Sequence, residues 1–487
     1  MRGAPLALAR LSSVSAAATL FLSACGGGAA QPTAAPAAPA ATTAAPKPSA
    51  AASPATGASP AASPAASPAA SPATKPAASP AAAASAVPSP SAVAAAQFPA
   101  GTTIKIVSSL PRTGSSKGQT DTMVNSFKMA LNEAGGNADG VGARVNGATI
   151  VYTDMDDATA AKGAWDAAKE AENANTALND ADVMVYIGTF NSGAAKVSIP
   201  VLCPQNMGMI SPANTYPGLT KKIEGAVEPN EPDVYYPGCK RNYTRVVPSD
   251  EIQGAAAAAW AKQLGGTKAY VLDDTELYGH GLGVVFANTA PKVGLQLVGG
   301  PEGIDGKASD YRAVAQKVRQ SGADVVFFGG ITQNNAGKLW QDLRATLGND
   351  VKLMGPDGIY EQAFLDAAGP AAENSYITFG GVPPSKLTGA GAAWYAKYKQ
   401  QFNSEPEAYA GYGYEAMKVA LDAIGRAGRK DRAAIRDAIF ATRNYSGALG
   451  TWSFLDTGDT SITAMSGRQV KNGAFDDTNA VTLSAPQ

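Results

Sequence analysis

Beyond residue 99 the chain repeats one pattern eight times: a short apolar run rich in β-branched residues, a polar loop, then a stretch with helical spacing. The runs are Thr103 to Ser108, Thr149 to Thr153, Val183 to Ile187 and Gly208 to Ile210, then Ala269 to Leu272, Gln296 to Val298, Val325 to Phe328 and Lys352 to Met354. Between them, Met123, Phe127, Leu131 and Ala134 fall on one helical face, as do Tyr311, Val314 and Val318. Ile252, Ala256, Trp260 and Leu264 recur every fourth residue before a stop at Gly265-Gly266. Strands that alternate with helices form parallel sheets covered on both faces. The eight units fall into two groups of four, and residues 99–487 exceed the size at which one core keeps growing. The expected fold is α/β, with two doubly wound parallel-sheet lobes.

The residues before this pattern cannot contribute to it. Met1-Arg2 and Arg10 flank the start of an apolar run from Leu11 to Leu22, which ends in Leu22-Ser23-Ala24-Cys25. The run is shorter than the roughly 20 residues of a permanent span and has the layout of an export signal. From Ala29 to about Phe98 the composition narrows to Ala, Pro, Ser and Thr, with Ala-Ser-Pro recurring at 52–54, 62–64, 66–68 and 70–72. Repeated proline excludes regular helix and central strand, and without large apolar side chains nothing offsets the entropy of ordering. Residues 26–98 are therefore expected to be a disordered tether, extending up to about 3.1 Å per residue where polyproline geometry holds. Leu-Ser-Ala-Cys followed by Gly26-Gly27-Gly28 resembles the lipobox of bacterial lipoproteins, which implies that residues 1–25 are a lipoprotein signal and that Cys25 is acylated and becomes the new N-terminus.

A formal net charge of −1 and a pI near 6.0 provide no basic field for nucleic acid. After Cys25 only Cys203 and Cys239 remain, and in an exported protein such a pair is expected to form a disulfide. The bridge would close a Gly/Pro/Tyr-rich excursion with an entropic gain of about 3 to 4 kcal/mol.

Ligands of open parallel sheets bind beyond the carboxyl ends of the strands. In the first group these places hold Leu110-Pro111-Arg112-Thr113-Gly114-Ser115-Ser116-Lys117, Thr189-Phe190-Asn191-Ser192-Gly193 and Ser211-Pro212-Ala213-Asn214-Thr215-Tyr216. In the second they hold Asp273-Asp274-Thr275-Glu276-Leu277-Tyr278-Gly279, Gly329-Gly330-Ile331-Thr332-Gln333-Asn334 and Gly355-Pro356-Asp357-Gly358-Ile359-Tyr360. Hydroxyls and helix N-termini favour an anion, whereas carboxylates and aromatics favour a cation with an apolar body. A cleft between such lobes suits a zwitterion with a side chain. Each segment also has a plainer reading: Ser192 as a helix cap, and Ser211-Pro212-Ala213 and Pro356-Asp357-Gly358 as turns; the acidic run Asp154-Met155-Asp156-Asp157 suits a hard cation or, more commonly, a helix-capping loop.

Catalytic chemistry finds little support. There is one histidine, His280, and no Cys/His cluster of metal-ligand type. Ser192 lacks the glycine two residues earlier that a nucleophile elbow requires. Gly329-Gly330 and Gly279-His280-Gly281 do not form a phosphate loop. No enzyme, cofactor or metal is expected.

The loops resemble the type I periplasmic solute-binding proteins of the leucine/isoleucine/valine-binding family, over residues 102 to about 460. The most specific piece is Met209-Ile210-Ser211-Pro212-Ala213-Asn214-Thr215, supported by Gly188 with Ser192, by Leu277-Tyr278-Gly279-His280-Gly281 and by Met354-Gly355-Pro356-Asp357-Gly358. The resemblance implies three crossings between lobes, near Val246, Gly381 and Thr451. Lobe 1 would then be 99–246 and 382–451, and lobe 2 would be 247–381 and 452–487. It implies that Ser192 holds a ligand α-carboxylate, and that Ala213, through its carbonyl, and Thr215, through its hydroxyl, meet the α-amino group and carboxylate. Tyr278 would be the aromatic wall, and Asp357, where the family often has glutamate, would face the ammonium. Ile331 and Lys117 stand where tyrosines are expected, and Phe190 joins them among the ligand-binding positions. The implied function is that of a lipid-anchored extracytoplasmic substrate-binding protein of an ABC importer. Its partners would be a small-molecule amino acid or related solute and a permease in the cytoplasmic membrane, and the protein is expected to be a monomer. A ligand-sensing surface lipoprotein, an amide- or urea-type binder and an adhesion lipoprotein are the alternatives.

Overall fold

The computed structural model describes residues 97–486, so the expected signal, Cys25 and the tether up to residue 96 lie outside the described residues. Phe98, counted with the tether, is buried in the same apolar cluster as Ile104 and Ile150, and its N–H donates to the Asn146 carbonyl at 2.9 Å.

In the first lobe the chain forms β1 (Thr103–Leu110), β2 (Arg144–Val145), β3 (Ala148–Asp156), a separate hairpin of β4 (Ala158–Thr159) and β5 (Ala164–Trp165), then β6 (Val183–Gly188), β7 (Gly208–Ser211) and β8 (Tyr243–Arg245). The sheet order is β2-β3-β1-β6-β7-β8, and every pair is parallel except the edge strand β2 against β3. Its helices are α1 (Lys117–Glu133), α2 (Ala167–Asn179) and α3 (Ser192–Leu202). The face of α1 read from the sequence is the buried one: Met123, Phe127 and Leu131 have no exposure. Asp166 caps α2 by accepting from the N–H groups of Ala168 and Lys169.

In the second lobe β9 (Lys268–Asp273), β10 (Gln296–Gly303), β11 (Val325–Gly329), β12 (Lys352–Gly355) and β13 (Tyr376–Gly380) pair in parallel in the order β10-β9-β11-β12-β13. Around them lie α4 (Asp250–Gln263), α5 (Leu277–Thr289), α6 (Arg312–Ser321), α7 (Ala336–Leu347) and α8 (Gln362–Ala368). The chain then returns to the first lobe as α9 (Ala390–Phe402), α10 (Ala410–Ala427) and α11 (Arg432–Phe440), with α10 along α1 and α11 against β6 and β7. After the hairpin β14 (Tyr445–Gly447) and β15 (Gly450–Trp452) it rejoins the second sheet as β16 (Met465–Lys471), antiparallel to β13 and paired with β17 (Ala474–Phe475) and β18 (Val481–Leu483).

All eight expected strands are present. Among the additional strands, β13 has the apolar, β-branched run Tyr-Ile-Thr-Phe and is missed by the count of eight, whereas others lack one: β8 is only Tyr-Thr-Arg, and β16 reads Met-Ser-Gly-Arg-Gln-Val-Lys. In β16 the buried Arg468 lies with its guanidinium 4.0 Å from the Tyr360 ring, and this tertiary contact outweighs the local sequence.

Three passages join the lobes: Val246–Ser249 between β8 and α4, a passage starting at Gly381 after β13, and one before β16. The third lies later than Thr451, which stands inside β15. Residues up to Asp459 remain with the first lobe because buried Arg245 donates from Nε to Asp459 Oδ1 at 2.6 Å. The expected disulfide joins Cys203 and Cys239, with Cα atoms 6.0 Å apart.

Candidate functional site

The loops at the carboxyl ends of the two sheets face each other, and the lobes are closed on one another. A glycine permits the close approach: a Cβ on Gly281 of α5 would lie 2.6 Å from the ring of Tyr216 in the first lobe. The Asn288 amide also donates to the Gly225 carbonyl across the junction at 3.0 Å.

The facing loops line one cavity, with Phe190, Asn191, Ser192, Ala213, Thr215 and Tyr409 from the first lobe and Tyr278, Ile331, Asp357 and Gly358 from the second.

The first-lobe wall is built by a rigid polar turn. Ser211, at the end of β7, donates from Oγ to the Thr189 carbonyl (3.1 Å) and accepts from the N–H groups of Ala213 (3.1 Å) and Asn214 (2.8 Å). The Asn214 amide donates to the Phe190 carbonyl at 2.9 Å, tying the two loops together. Arg245 fixes the far side of the turn, donating to the carbonyls of Tyr216 (2.8 Å) and Asn214 (3.3 Å) and to the Thr220 hydroxyl (2.6 Å). Burial works against the charge of Asp459, yet the Arg245 guanidinium and Lys221 hold its carboxyl well below the usual range. Ser192 opens α3, whose first N–H groups have no intrahelical partners, and its Oγ accepts from the Tyr216 N–H at 3.4 Å.

The second-lobe wall centres on Asp357, which is 2 % exposed. Tyr278 donates to its Oδ1 at 2.8 Å, and Tyr409 donates to Oδ2 from the first lobe. Gly358 closes the turn by donating its N–H to the Tyr278 oxygen at 3.1 Å. Burial pushes the Asp357 carboxyl above its ordinary range, against the pull of the two phenols. Asp250, the first residue of α4, is fully buried beside Thr215, and neither of its carboxylate oxygens receives a hydrogen bond. Burial, and then the charge of Asp357, push it well above the carboxylate range. The Ile331 loop is held by Asp274, whose Oδ2 accepts from the Ile331 N–H (3.0 Å) and the Asn334 amide (2.9 Å) and whose carboxyl burial pushes up to about 7.

The structure thus brings Phe190, Ser192, Ala213, Thr215, Tyr278, Ile331 and Asp357 together around one cavity. Lys117 is not among them. It stands at the start of α1 with its side chain 57 % exposed and paired with Asp121 one turn on, because that carboxylate offers a nearer partner than the cleft does. Asp250 and Tyr409 were not singled out from the sequence: Asp250 reads as an ordinary first-turn acid, and Tyr409 follows Asp357 by 52 residues with no local motif. Asn191 and Gly358 were named only within their loops, and the helix cap expected at Ser192 falls on Asn191.

The periplasmic binding protein family matches residues 103–474. The Leu/Ile/Val-binding protein homolog 2 of Brucella abortus is 27% identical over 353 residues, covering 72% of this chain and 86% of that one. The leucine-, isoleucine-, valine-, threonine-, and alanine-binding protein of Pseudomonas aeruginosa is 26% identical over 368 residues, covering 74% of this chain and 88% of that one. Among solved structures, the leucine binding protein LivK of Thermotoga maritima superposes with a TM-score of 0.67 at 25% identity, over 79% of this chain and 99% of that one. With these matches and its two-lobed α/β architecture, the chain belongs to the periplasmic binding protein family and has the type I fold.

Proposed function

We propose that the protein captures an α-amino acid between its lobes and delivers it to the permease of an ABC importer, without catalysis. The observation that carries this reading is the opposition across one cavity of a hydroxyl-rich wall at a helix N-terminus, Ser192 and Thr215, and a buried acidic wall, Asp357 with Asp250 behind it. An α-carboxylate placed at the first and an ammonium at the second would satisfy both. The ammonium would also relieve the like-charge repulsion of two desolvated carboxylates. Ala213 adds its carbonyl to the ammonium side. Phe190, Ile331 and the rings of Tyr278 and Tyr409 leave an apolar region for a side chain, consistent with the names of the Pseudomonas and Thermotoga relatives.

Contacts to both lobes exist only when they close, so ligand shifts the population toward the closed form. The lipobox-like Cys25 and the Ala/Pro/Ser tract extend the same reading: a monomer anchored by lipid outside the cytoplasm, on a tether that keeps a high effective concentration of binder near its permease.

The reading is tested by calorimetry and thermal unfolding of the purified protein against amino acids, amides, urea and small carboxylates. At least one α-amino acid should bind and raise the melting temperature, and its analogues lacking the ammonium or the carboxylate should not. Binding of simple carboxylates as tight as that of the amino acid, or of no solute at all, would remove the assignment.

A further inference from the structure

We propose that Asn191 selects among amino acids by pairing its side-chain amide with a hydrogen-bond donor on the ligand side chain, so that the cleft favours a hydroxyl- or amide-bearing amino acid over its aliphatic isostere. This rests on the reading of the cleft as an amino-acid site. Asn191 occupies the N-cap of α3, where asparagine ordinarily turns its oxygen back onto the free N–H groups of the helix. Here the side chain makes no cap hydrogen bond. Its Oδ1 is instead buried with no partner, and the residue lines the cavity. A cap forgone and an amide oxygen desolvated without compensation both oppose folding, and a ligand donor would repair the second.

The loop cannot relax to repair it alone. The Thr189 hydroxyl donates to the Asn191 carbonyl at 2.8 Å, and the Asn214 amide holds the preceding Phe190 carbonyl. The charged ends of the ligand already have partners in Ser192, Thr215, Ala213 and Asp357. The other lining residues are Phe190, Ile331, Gly358, Tyr278 and Tyr409, and both tyrosine hydroxyls are engaged on Asp357, so the Asn191 amide is the polar group left over for a side chain.

The test is a set of dissociation constants for two isosteric pairs, threonine with valine and asparagine with leucine, measured on wild type, Asn191→Ala and Asn191→Leu. Wild type should prefer the polar member of at least one pair by about tenfold, the scale of one buried hydrogen bond left unmade. Both variants should bring that ratio to about one or reverse it, with melting temperatures near wild type because no cap bond is lost. A wild-type ratio near one in both pairs overturns the inference. So does a ratio that the variants leave unchanged, or an equal loss for both members of a pair, which would place the amide on the shared α-groups. If none of the four binds and the wider set of amino acids also fails, the amino-acid reading falls and this inference falls with it. Binding with ratios insensitive to Asn191 removes this inference alone.

Discussion

Asp357 holds both of its carboxylate oxygens against phenol hydroxyls, one from each lobe, so the residue that would meet a ligand ammonium also helps to hold the lobes together. Each oxygen keeps a second lone-pair site for the ligand. Aspartate has a shorter reach than the glutamate common in the family, and the two tyrosines fix the carboxylate at the cavity wall. Removing one of them should therefore weaken binding without removing charge. Tyr409→Phe is expected to lower amino-acid affinity about tenfold, the scale of a charge-assisted hydrogen bond. Lys117→Ala should leave affinity within about twofold of wild type and stability within about 0.5 kcal/mol, as expected of an exposed ion pair. Titration calorimetry of the two variants checks both; a large loss for Lys117→Ala would bring that side chain back into the site.

At the scale of elements, the closed form depends on surfaces that fit only with glycine. Tyr216 is 3 % exposed and anchored by its hydroxyl to Glu231 Oε2 at 2.7 Å, inside the loop that the Cys203–Cys239 disulfide closes. Its ring cannot easily withdraw from a Cβ at Gly281. Gly281→Ala should therefore disfavour closure, weakening ligand binding by about tenfold or more while circular dichroism stays that of wild type. Solution scattering would show a smaller change on adding ligand than wild type gives; an unchanged affinity would mean that the junction adjusts freely. The strands and loops of this architecture were legible because buried parallel strands need dense apolar runs, as at Val183–Gly188 and Val325–Gly329, and because their carboxyl ends need turn residues and hydroxyls. Asp250 and Tyr409 were not legible. Each looks locally like a helix-start residue, and only the folding of distant segments onto one another places them beside Thr215 and Asp357. Lys117 is the converse case: its sequence position also fits a solvated loop charge, and here it pairs with Asp121. Arg468 and β16 belong to the same class as Asp250, because their environment is made by Tyr360 and Phe379 rather than by their neighbours in sequence.

Across the whole molecule the buried acids outside the paired Asp459 set a pH dependence. Burial pushes Glu170, Asp274 and Glu361 each up to about 7, against about 4 in an unfolded chain. A carboxyl whose value rises on folding binds its proton more tightly in the native state, so its contribution is full below about pH 4 and is lost as pH climbs through about 7. The melting temperature of the ligand-free protein should accordingly fall between about pH 5.5 and pH 8, and Glu361→Gln should flatten the slope. Scanning calorimetry at fixed ionic strength checks this, and a melting temperature that rises over the same window would contradict it. Asp250 and Asp357 carry the same sign in the unliganded cleft, and a bound ammonium reverses it for them by favouring their charged forms. On the proposed reading the whole molecule is a pair of lobes that closes on an ammonium and a carboxylate at once. The most direct measurement is a parallel calorimetric titration of wild type and Asp357→Asn with the amino acid that wild type binds most tightly. Asp357→Asn should bind it about a hundredfold more weakly or worse, as expected when one charge of a buried pair is removed; equal affinity in the two proteins would contradict the cleft as a receptor for a zwitterion.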